Sequence, residues 1–162
     1  MNTDQPLSKR ASQLQNEFTR LDFEWTVVEV PASTRTAEEA AAAIGCEVEQ
    51  IIKSLIFRTV KTHRPVLILA SGKNRVNEKT IGAIIGEKIE KADANFVREQ
   101  TGFAIGGIPP CGHKNPIELV YIDETLLSLG ELWAAAGTPN SVFKLQAAQL
   151  LTATNGKTIK VN

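Results

Sequence analysis

Residue types that carry out covalent chemistry are scarce in this chain. It has two cysteines and two histidines in 162 residues, and the members of each pair are far apart. The cysteines have no metal-ligand spacing, and the Gly-x-Ser-x-Gly turn of many serine hydrolases is missing. These absences argue against a structural zinc site, a disulfide framework and a serine nucleophile. We therefore expect a chain that works without a bound metal in the reducing cytoplasm.

Long apolar stretches and an excess charge are also missing. No apolar run approaches the ~18 residues that span a bilayer, and the polar residues 1–6, which show no signal pattern, are expected to be a disordered lead. Eighteen basic residues balance eighteen acidic ones, which argues against tight, sequence-independent nucleic-acid binding. Seven cations nevertheless fall between Lys53 and Lys79, with Glu78 as the one acid among them. This run is either a solvated basic face or a phosphate-facing patch.

Helical and strand periodicities alternate along the chain, whose length fits one domain over residues 1–162. Helices are predicted at residues 7–21, 36–44, 77–85, 93–101 and 146–152, with a helical turn at 48–52. Strands are predicted at residues 23–30, 53–60, 65–70, 117–122, 132–136, 142–145 and 158–161. Interleaved helices and strands predict the α/β or α+β class with a mixed sheet.

Two features stand out as candidate sites. Residues 106–113, Gly-Gly-Ile-Pro-Pro-Cys-Gly-His, form a stiff loop whose backbone N–H groups a ligand can approach, although a tight connection between strands has the same composition. Within it, His113 can contact a ligand, and Cys111 is either a nucleophile or a small apolar wall residue. Lys53 lies where a helical turn meets an apolar strand, so it either holds an ammonium over a pocket or faces solvent.

Four ordered segments resemble the YbaK family, the free-standing relatives of the editing domain inserted in bacterial prolyl-tRNA synthetases. They are residues 52–55, 69–77, 101–110 and 137–145, and the resemblance runs from about Thr36 to Leu151. The resemblance implies a mixed, strongly bent sheet of six or seven strands, partly barrel-like, with helices packed outside.

The same resemblance implies hydrolysis of the ester between a wrongly attached amino acid and the 3′ end of a tRNA, commonly the proline tRNA. Aminoacyl-tRNA is the expected partner, prolyl-tRNA synthetase a further one, and no metal or organic cofactor is expected. Lys53 would bind the terminal adenosine or its phosphate, and Gly106 and Gly107 would let the backbone approach the ester. The expected substrate-binding residues are Ser71, Ile108, Pro109, Pro110, Cys111, His113 and Gly137.

The loop departs from the polar Cys-Thr segment associated with the cysteine-removing branch of the family. Alanine, 2-aminobutyrate, serine or threonine is therefore expected ahead of cysteine. An apolar pocket discriminates by only about 1–3 kcal/mol per methylene, so exclusion by size is the expected rule. Water, a ribose hydroxyl or the substrate's own side chain can be the nucleophile. Two other functions stay open: a non-catalytic tRNA- or synthetase-binding module, and a hydrolase of other small activated esters.

Overall fold

Two β-sheets and six α-helices make up residues 6–162, the part of the chain that the computed structural model describes. The strands are β1 Val27–Glu29, β2 Ile52–Thr59, β3 Pro65–Ser71, β4 Ile89–Lys91, β5 Leu119–Asp123, β6 Glu131–Ala135, β7 Ser141–Gln146 and β8 Lys157–Ile159. The helices are α1 Lys9–Arg20, α2 Ala37–Ile44, α3 Glu78–Ile85, α4 Ala94–Thr101, α5 Glu124–Leu127 and α6 Ala147–Thr154, with a 3₁₀ turn at Val48–Gln50. The expected disordered lead lies, except for Pro6, outside the described residues.

The larger sheet has the order β4-β2-β3-β5-β8, and the smaller one the order β1-β7-β6. In the larger sheet β2 pairs antiparallel with β3 and β4, whereas β5 runs parallel to both β3 and β8. The smaller sheet is antiparallel throughout. A single parallel bridge between Ile51 and Trp133 joins the two sheets next to the start of β2. The predicted mixed α/β class is thus confirmed.

The strands differ in number and arrangement from the single, partly barrel-like sheet that was expected. Eight strands in two sheets replace six or seven in one, and the described residues form no closed barrel. The predicted strand at residues 23–30 shortens to β1 because the Phe23 N–H donates to the carbonyl oxygen of Phe18 and the Trp25 carbonyl oxygen accepts from the Gln15 side chain, so this backbone joins no ladder. The strand β4 was missed because it is three residues long and two of them are charged.

Local signals set the helix boundaries where they were predicted. Thr36 and Glu39 form the predicted capping box of α2, and Gly45 ends that helix with a left-handed φ of 87°. Asn77 and Asp93 accept backbone N–H bonds at the starts of α3 and α4. These caps act within one turn of helix, which is why sequence alone could place them.

Three buried clusters hold the elements together. The largest packs α1 through Leu14 and Phe18 against the facing sides of both sheets. The central strand β3 is buried from Val66 to Ser71, as its continuous apolar run predicted. Each fully buried leucine or isoleucine there contributes about 1.5–3 kcal/mol. The third cluster seats the alanine-rich α2 on Trp133 and Val142, which positions the start of α2 beside β2. None of the helices within residues 6–162 is long and apolar enough to cross a membrane.

Candidate active site

A cavity of about 310 Å³ is lined by residues of both sheets, α2 and the glycine-proline loop. Its volume falls at the lower end of the range for small-molecule pockets. The lining residues that the structure describes are Arg35, Thr36, Ala37, Ala40, Ile51, Ile52, Lys53, Ser54, Leu55, Ile105, Gly106, Ile108, Trp133, Ala134, Ala135, Pro139 and Val142. They are mostly small or apolar and include no carboxylate and no imidazole. The cavity therefore suits a small, largely apolar ligand group.

The first wall of the cavity, called here the lysine wall, is the segment Ile52–Leu55 at the start of β2. Lys53 pairs with Ala70 across the ladder, and its Nζ donates a hydrogen bond to the backbone carbonyl oxygen of Asn74 at 2.5 Å. Burial lowers the pKa of the half-buried Lys53 below its usual value, while the carboxylates of Glu38 and Asp123 oppose that shift. The Asn74 carbonyl oxygen thus fixes the direction of the ammonium of Lys53, a residue that lines the cavity.

A hydrogen-bond network lies behind the lysine wall. The Asn74 side chain donates to Asp123 Oδ2 at 2.9 Å and to Thr125 Oγ1 at 3.0 Å. The backbone N–H of Ser71 also donates to Asp123 Oδ2, at 3.0 Å, and the Ser71 hydroxyl donates to the carbonyl oxygen of Glu49 at 2.8 Å. Ser71, which was expected at the substrate, is fully buried in this network and does not line the cavity.

The second wall, called here the loop wall, combines residues 105–108 with the turn at residues 137–140. The N–H of Gly137 donates to the carbonyl oxygen of Gly107 at 2.9 Å, which ties the two segments together. A Cβ on Gly107 would lie 2.8 Å from the Gly137 oxygen and 2.9 Å from Thr138 Cα. Gly106 has a φ of 94°, a conformation that glycine adopts readily. Glycine is thus required at Gly107 by close backbone approach and at Gly106 by its dihedral angle.

The amides of the loop wall differ in availability. The N–H of Gly107 is already bonded to the carbonyl oxygen of Ala104 at 3.0 Å, and Gly107 does not line the cavity. The N–H groups of Gly106 and Ile108 find no acceptor among the residues that the structure describes, and both residues line the cavity. Two preorganised amides of this kind can stabilise an oxyanion without any side chain.

The remaining predicted residues of the loop lie behind this wall and outside the lining. Cys111 is 9% exposed, and burial raises the pKa of its thiol to about 12. His113 Nε2 shares a hydrogen bond with the carbonyl oxygen of Pro109 at 2.7 Å, and burial lowers the pKa of this imidazole. Pro109 and Pro110 are buried, and Gly137 packs on the backbone of Arg10. Of the predicted site residues, the structure brings together Lys53, Gly106 and Ile108 in the cavity lining.

Sequence reasoning did not assign four polar lining residues to the site: Arg35, Thr36, Ser54 and Trp133. Ser54 follows Lys53 in β2, and Trp133 lies on β6, where it reads as an interior strand residue. Ser54 Oγ and Trp133 Nε1 are both buried without a hydrogen-bond partner within the described part of the chain. No local pattern marks Trp133, because its place depends on the bridge to Ile51 that joins the two sheets.

Three of the seven cations between Lys53 and Lys79 pair with acids from elsewhere in the described residues, and Lys61, Arg75 and Lys79 are exposed. Arg58 pairs with Glu90 at 2.5 Å, Lys73 with Glu49 at 2.8 Å, and Arg64 with Glu118 at 3.4 Å. The run is therefore largely a solvated face with ion pairs. Residues 6–162 also hold no group of three or more histidines, cysteines or acids placed to bind a metal ion.

Comparisons with known proteins relate this chain to aminoacyl-tRNA editing domains. The family model of the aminoacyl-tRNA editing domain matches residues 31–153 of this chain. The uncharacterised protein YwhH of Bacillus subtilis is 34% identical over 137 residues, which are 85% of this chain and 86% of that protein. The proline–tRNA ligase of Maridesulfovibrio salexigens is 30% identical over 110 residues, which are 67% of this chain and 18% of the ligase.

A solved structure extends the likeness over nearly the whole fold. It is described as a candidate trans-editing enzyme for prolyl-tRNA synthetase, and it superposes with a TM-score of 0.91 at 44% identity. The superposition covers 97% of this chain and 99% of that one. With the family match spanning both cavity walls, the chain belongs to the aminoacyl-tRNA editing domain family of the YbaK type.

Proposed function

We propose that this chain hydrolyses the ester that links a wrongly attached small amino acid to the 3′ end of a tRNA, acting in trans on proline tRNA. The observation that carries the proposal is the shared cavity of Lys53, Gly106 and Ile108, which combines one ammonium with two amides that lack acceptors among the described residues. Residues 1–162 would act as one domain, in the cytoplasm, where charged tRNAs are used. The coarser statement, an editing domain, follows from the family match.

The reaction needs few catalytic groups from the protein because the ester is already activated. A water oxygen attacks the ester carbonyl carbon, the bond to the ribose oxygen breaks, and the products are the free amino acid and a tRNA with its hydroxyl restored. The amides of Gly106 and Ile108 stabilise the oxyanion that forms between these events. The Lys53 ammonium binds the ribose or phosphate side of the terminal nucleotide, which holds the ester in position.

The composition of the cavity lining indicates that the substrate itself takes part in activating the water. No described lining residue is a carboxylate or an imidazole, so the cavity offers no ordinary general base. We infer that the vicinal ribose hydroxyl orients the attacking water through a hydrogen bond. Substrate choice follows from size, since alanines and branched aliphatic residues form most of the lining. Alanine, 2-aminobutyrate, serine and threonine are the proposed acyl groups, ahead of cysteine.

The test compares esters and variants in one assay. Proline tRNA is charged separately with alanine, 2-aminobutyrate, serine, threonine, cysteine and proline, and the loss of each ester is followed with purified protein. We expect hydrolysis of at least one small acyl group and survival of the prolyl ester. Lys53→Ala should lower the rate about 10²-fold, the scale seen when one electrostatic contact to a transition state is removed.

Lys73→Ala is the matched control. It removes another lysine from the same region, one that pairs with Glu49 and lies outside the cavity lining. We expect its rate to stay within about twofold of the parent, because exposed ion pairs contribute little. Parental activity in a folded Lys53→Ala protein would remove the ammonium from the mechanism. A parent protein inactive on all six esters would instead favour the non-catalytic binding module.

A further inference from the structure

We propose that Asp123 and Asn74 are positioning residues that fix the Lys53 ammonium at the cavity and keep it charged. The inference rests on the proposed function, in which Lys53 is the cation that binds the substrate. Neither residue lines the cavity, so both would act through Lys53 rather than on the substrate.

Asp123 is a buried carboxylate that accepts three hydrogen bonds, all from neutral donors. It ends β5, is 1% exposed, and forms no ion pair within the described residues. Its Oδ2 accepts from the Ser71 amide and the Asn74 side chain, and its Oδ1 accepts from the Thr125 amide at 3.0 Å. Burying an ionised carboxylate is costly unless it is well bonded. The Thr125 bond caps α5, whereas the other two bonds come from the end of β3 and the loop after it, the segment whose Asn74 carbonyl oxygen holds Lys53. The bonds to that segment suggest a role for the charge beyond capping and packing.

Asn74 connects this carboxylate to the lysine. Its side-chain amide bonds to Asp123 and Thr125, its own N–H donates to the carbonyl oxygen of Ser71 at 2.9 Å, and its carbonyl oxygen accepts the Lys53 ammonium. The side-chain bonds therefore set the direction of the carbonyl group that holds Lys53. Losing them would let the loop after β3 rotate, and the ammonium would lose its fixed acceptor.

The charges that face Lys53 come from three elements. Glu38 of α2 and Asp123 of β5 favour the ammonium, while Arg75 of the loop before α3 opposes it. Burial is the largest effect and lowers the pKa of Lys53. Glu38 is exposed, so water and salt screen its charge, whereas the charge of Asp123 is screened much less. Glu38 is the larger opposing charge, and Asp123 is the opposing charge that salt weakens least.

Two variants separate position from charge. Asn74→Ala removes the side-chain tether but leaves both the carbonyl oxygen and the Asp123 charge. Asp123→Asn removes the charge and keeps nearly the same shape. Lys73→Ala, in the same loop, serves again as the control. For each protein we would measure kcat/KM for deacylation against pH, corrected for spontaneous ester loss. Competitive acetylation of Lys53 against pH, read by mass spectrometry without tRNA, gives its pKa directly.

For Asn74→Ala we expect kcat/KM to fall about tenfold, since small misplacements of a binding group cost up to about 10²-fold. The pH at which Lys53 titrates should stay as in the parent, and its acetylation above that pH should become faster because the amine is freed. For Asp123→Asn the titration of Lys53 should move to lower pH, and the alkaline limb of the deacylation profile should move with it. A purely structural residue would lower activity equally at every pH.

The proposal is overturned for Asp123 if the acetylation profile of Lys53 does not move in a folded Asp123→Asn protein. It is overturned for Asn74 if Asn74→Ala keeps the parental kcat/KM and acetylation rate. Should Asp123→Asn fail to fold by circular dichroism, Thr125→Val replaces it as a milder change to the same network and must raise the acetylation rate of Lys53. A parent protein without deacylase activity would refute the proposed function. Because acetylation of Lys53 needs no tRNA, it would still show whether Asp123 and Asn74 hold the Lys53 ammonium.

Discussion

The two walls of the cavity are built by different means. The lysine wall depends on side chains, because Lys53 is held through Asn74 and the buried Asp123. The loop wall depends on backbone contact, because Gly107 and Gly137 approach too closely for any Cβ on Gly107. Side-chain hydrogen bonds can be weakened in steps, whereas a backbone contact either fits or does not. We therefore expect graded losses on the first wall and abrupt ones on the second.

Side chains do support the loop wall, but from behind it. Glu29 of β1 is 7% exposed and accepts hydrogen bonds from Ser141 Oγ at 2.9 Å, from Asn140 Nδ2 at 3.2 Å and from the Ser8 amide at 3.1 Å. These bonds anchor the turn at residues 137–140 to β1 and to the start of α1. Each wall thus has one buried carboxylate behind it, and Glu29, like Asp123, does not line the cavity.

Gly107→Ala is the largest test of the backbone wall. The added Cβ would meet the carbonyl oxygen and carbon of Gly137 at 2.8 and 2.9 Å, and backbone atoms cannot move aside as a side chain can. We expect a loss of about 3 kcal/mol in the free energy of unfolding, measured with urea, and a loss of about 10²-fold in deacylation. Lys53→Ala should lower activity alone, so equal stability of the two variants would contradict the comparison.

Glu29→Ala tests the support behind the loop wall. It leaves the donors of Ser141, Asn140 and Ser8 without their shared acceptor in a buried place, which should cost about 2 kcal/mol in the free energy of unfolding. Glu90→Ala is the control, because Glu90 is a more exposed acid paired with Arg58, and it should cost less than about 1 kcal/mol. Equal costs in urea unfolding would show that the Glu29 bonds do not anchor the turn.

Gly106→Ala separates backbone strain from the approach of the substrate. Gly106 has a φ of 94° and Gly130 a φ of 76°. Replacing either glycine with alanine should therefore lower the free energy of unfolding by about 1–2 kcal/mol. The Cβ at Gly106 would lie 3.5 Å from Pro139 Cγ, beside the cavity, whereas a Cβ at Gly130 meets nothing within 4 Å. Deacylation should therefore fall about tenfold in Gly106→Ala and stay near parental in Gly130→Ala. A similar activity in both variants would place the ester away from Gly106.

The sequence was informative where structure is decided locally. The hairpin of β2 and β3 and the caps at Thr36, Asn77 and Asp93 depend on a few neighbouring residues, and all of them were predicted. The family resemblance added the link between Lys53 and the glycine-proline loop, which periodicity cannot supply because the two are far apart in the chain.

Residues joined by long-range contacts could not be foreseen. Ser71 was expected at the substrate because it lies in a matching segment, yet its amide and hydroxyl bond to Asp123 and Glu49 behind the wall. Trp133 lines the cavity because β6 meets Ile51, a contact that no spacing rule predicts. The networks of Glu29 and Asp123 escaped notice for the same reason, since their partners come from distant parts of the sequence.

Cys111→Ala should have the smallest effect and decides whether the loop wall acts through its backbone alone. With the pKa of its thiol raised to about 12, only about one molecule in ten thousand carries the thiolate at pH 8, and the thiolate is the nucleophile. The imidazole of His113 bonds to Pro109 instead of approaching the sulfur. We expect deacylation within about twofold of the parent and slower alkylation by iodoacetamide at Cys111 than at the less buried Cys46. A folded Cys111→Ala protein with more than tenfold lower activity would show instead that this wall contributes a side chain to the reaction, and the contrast between the walls would disappear.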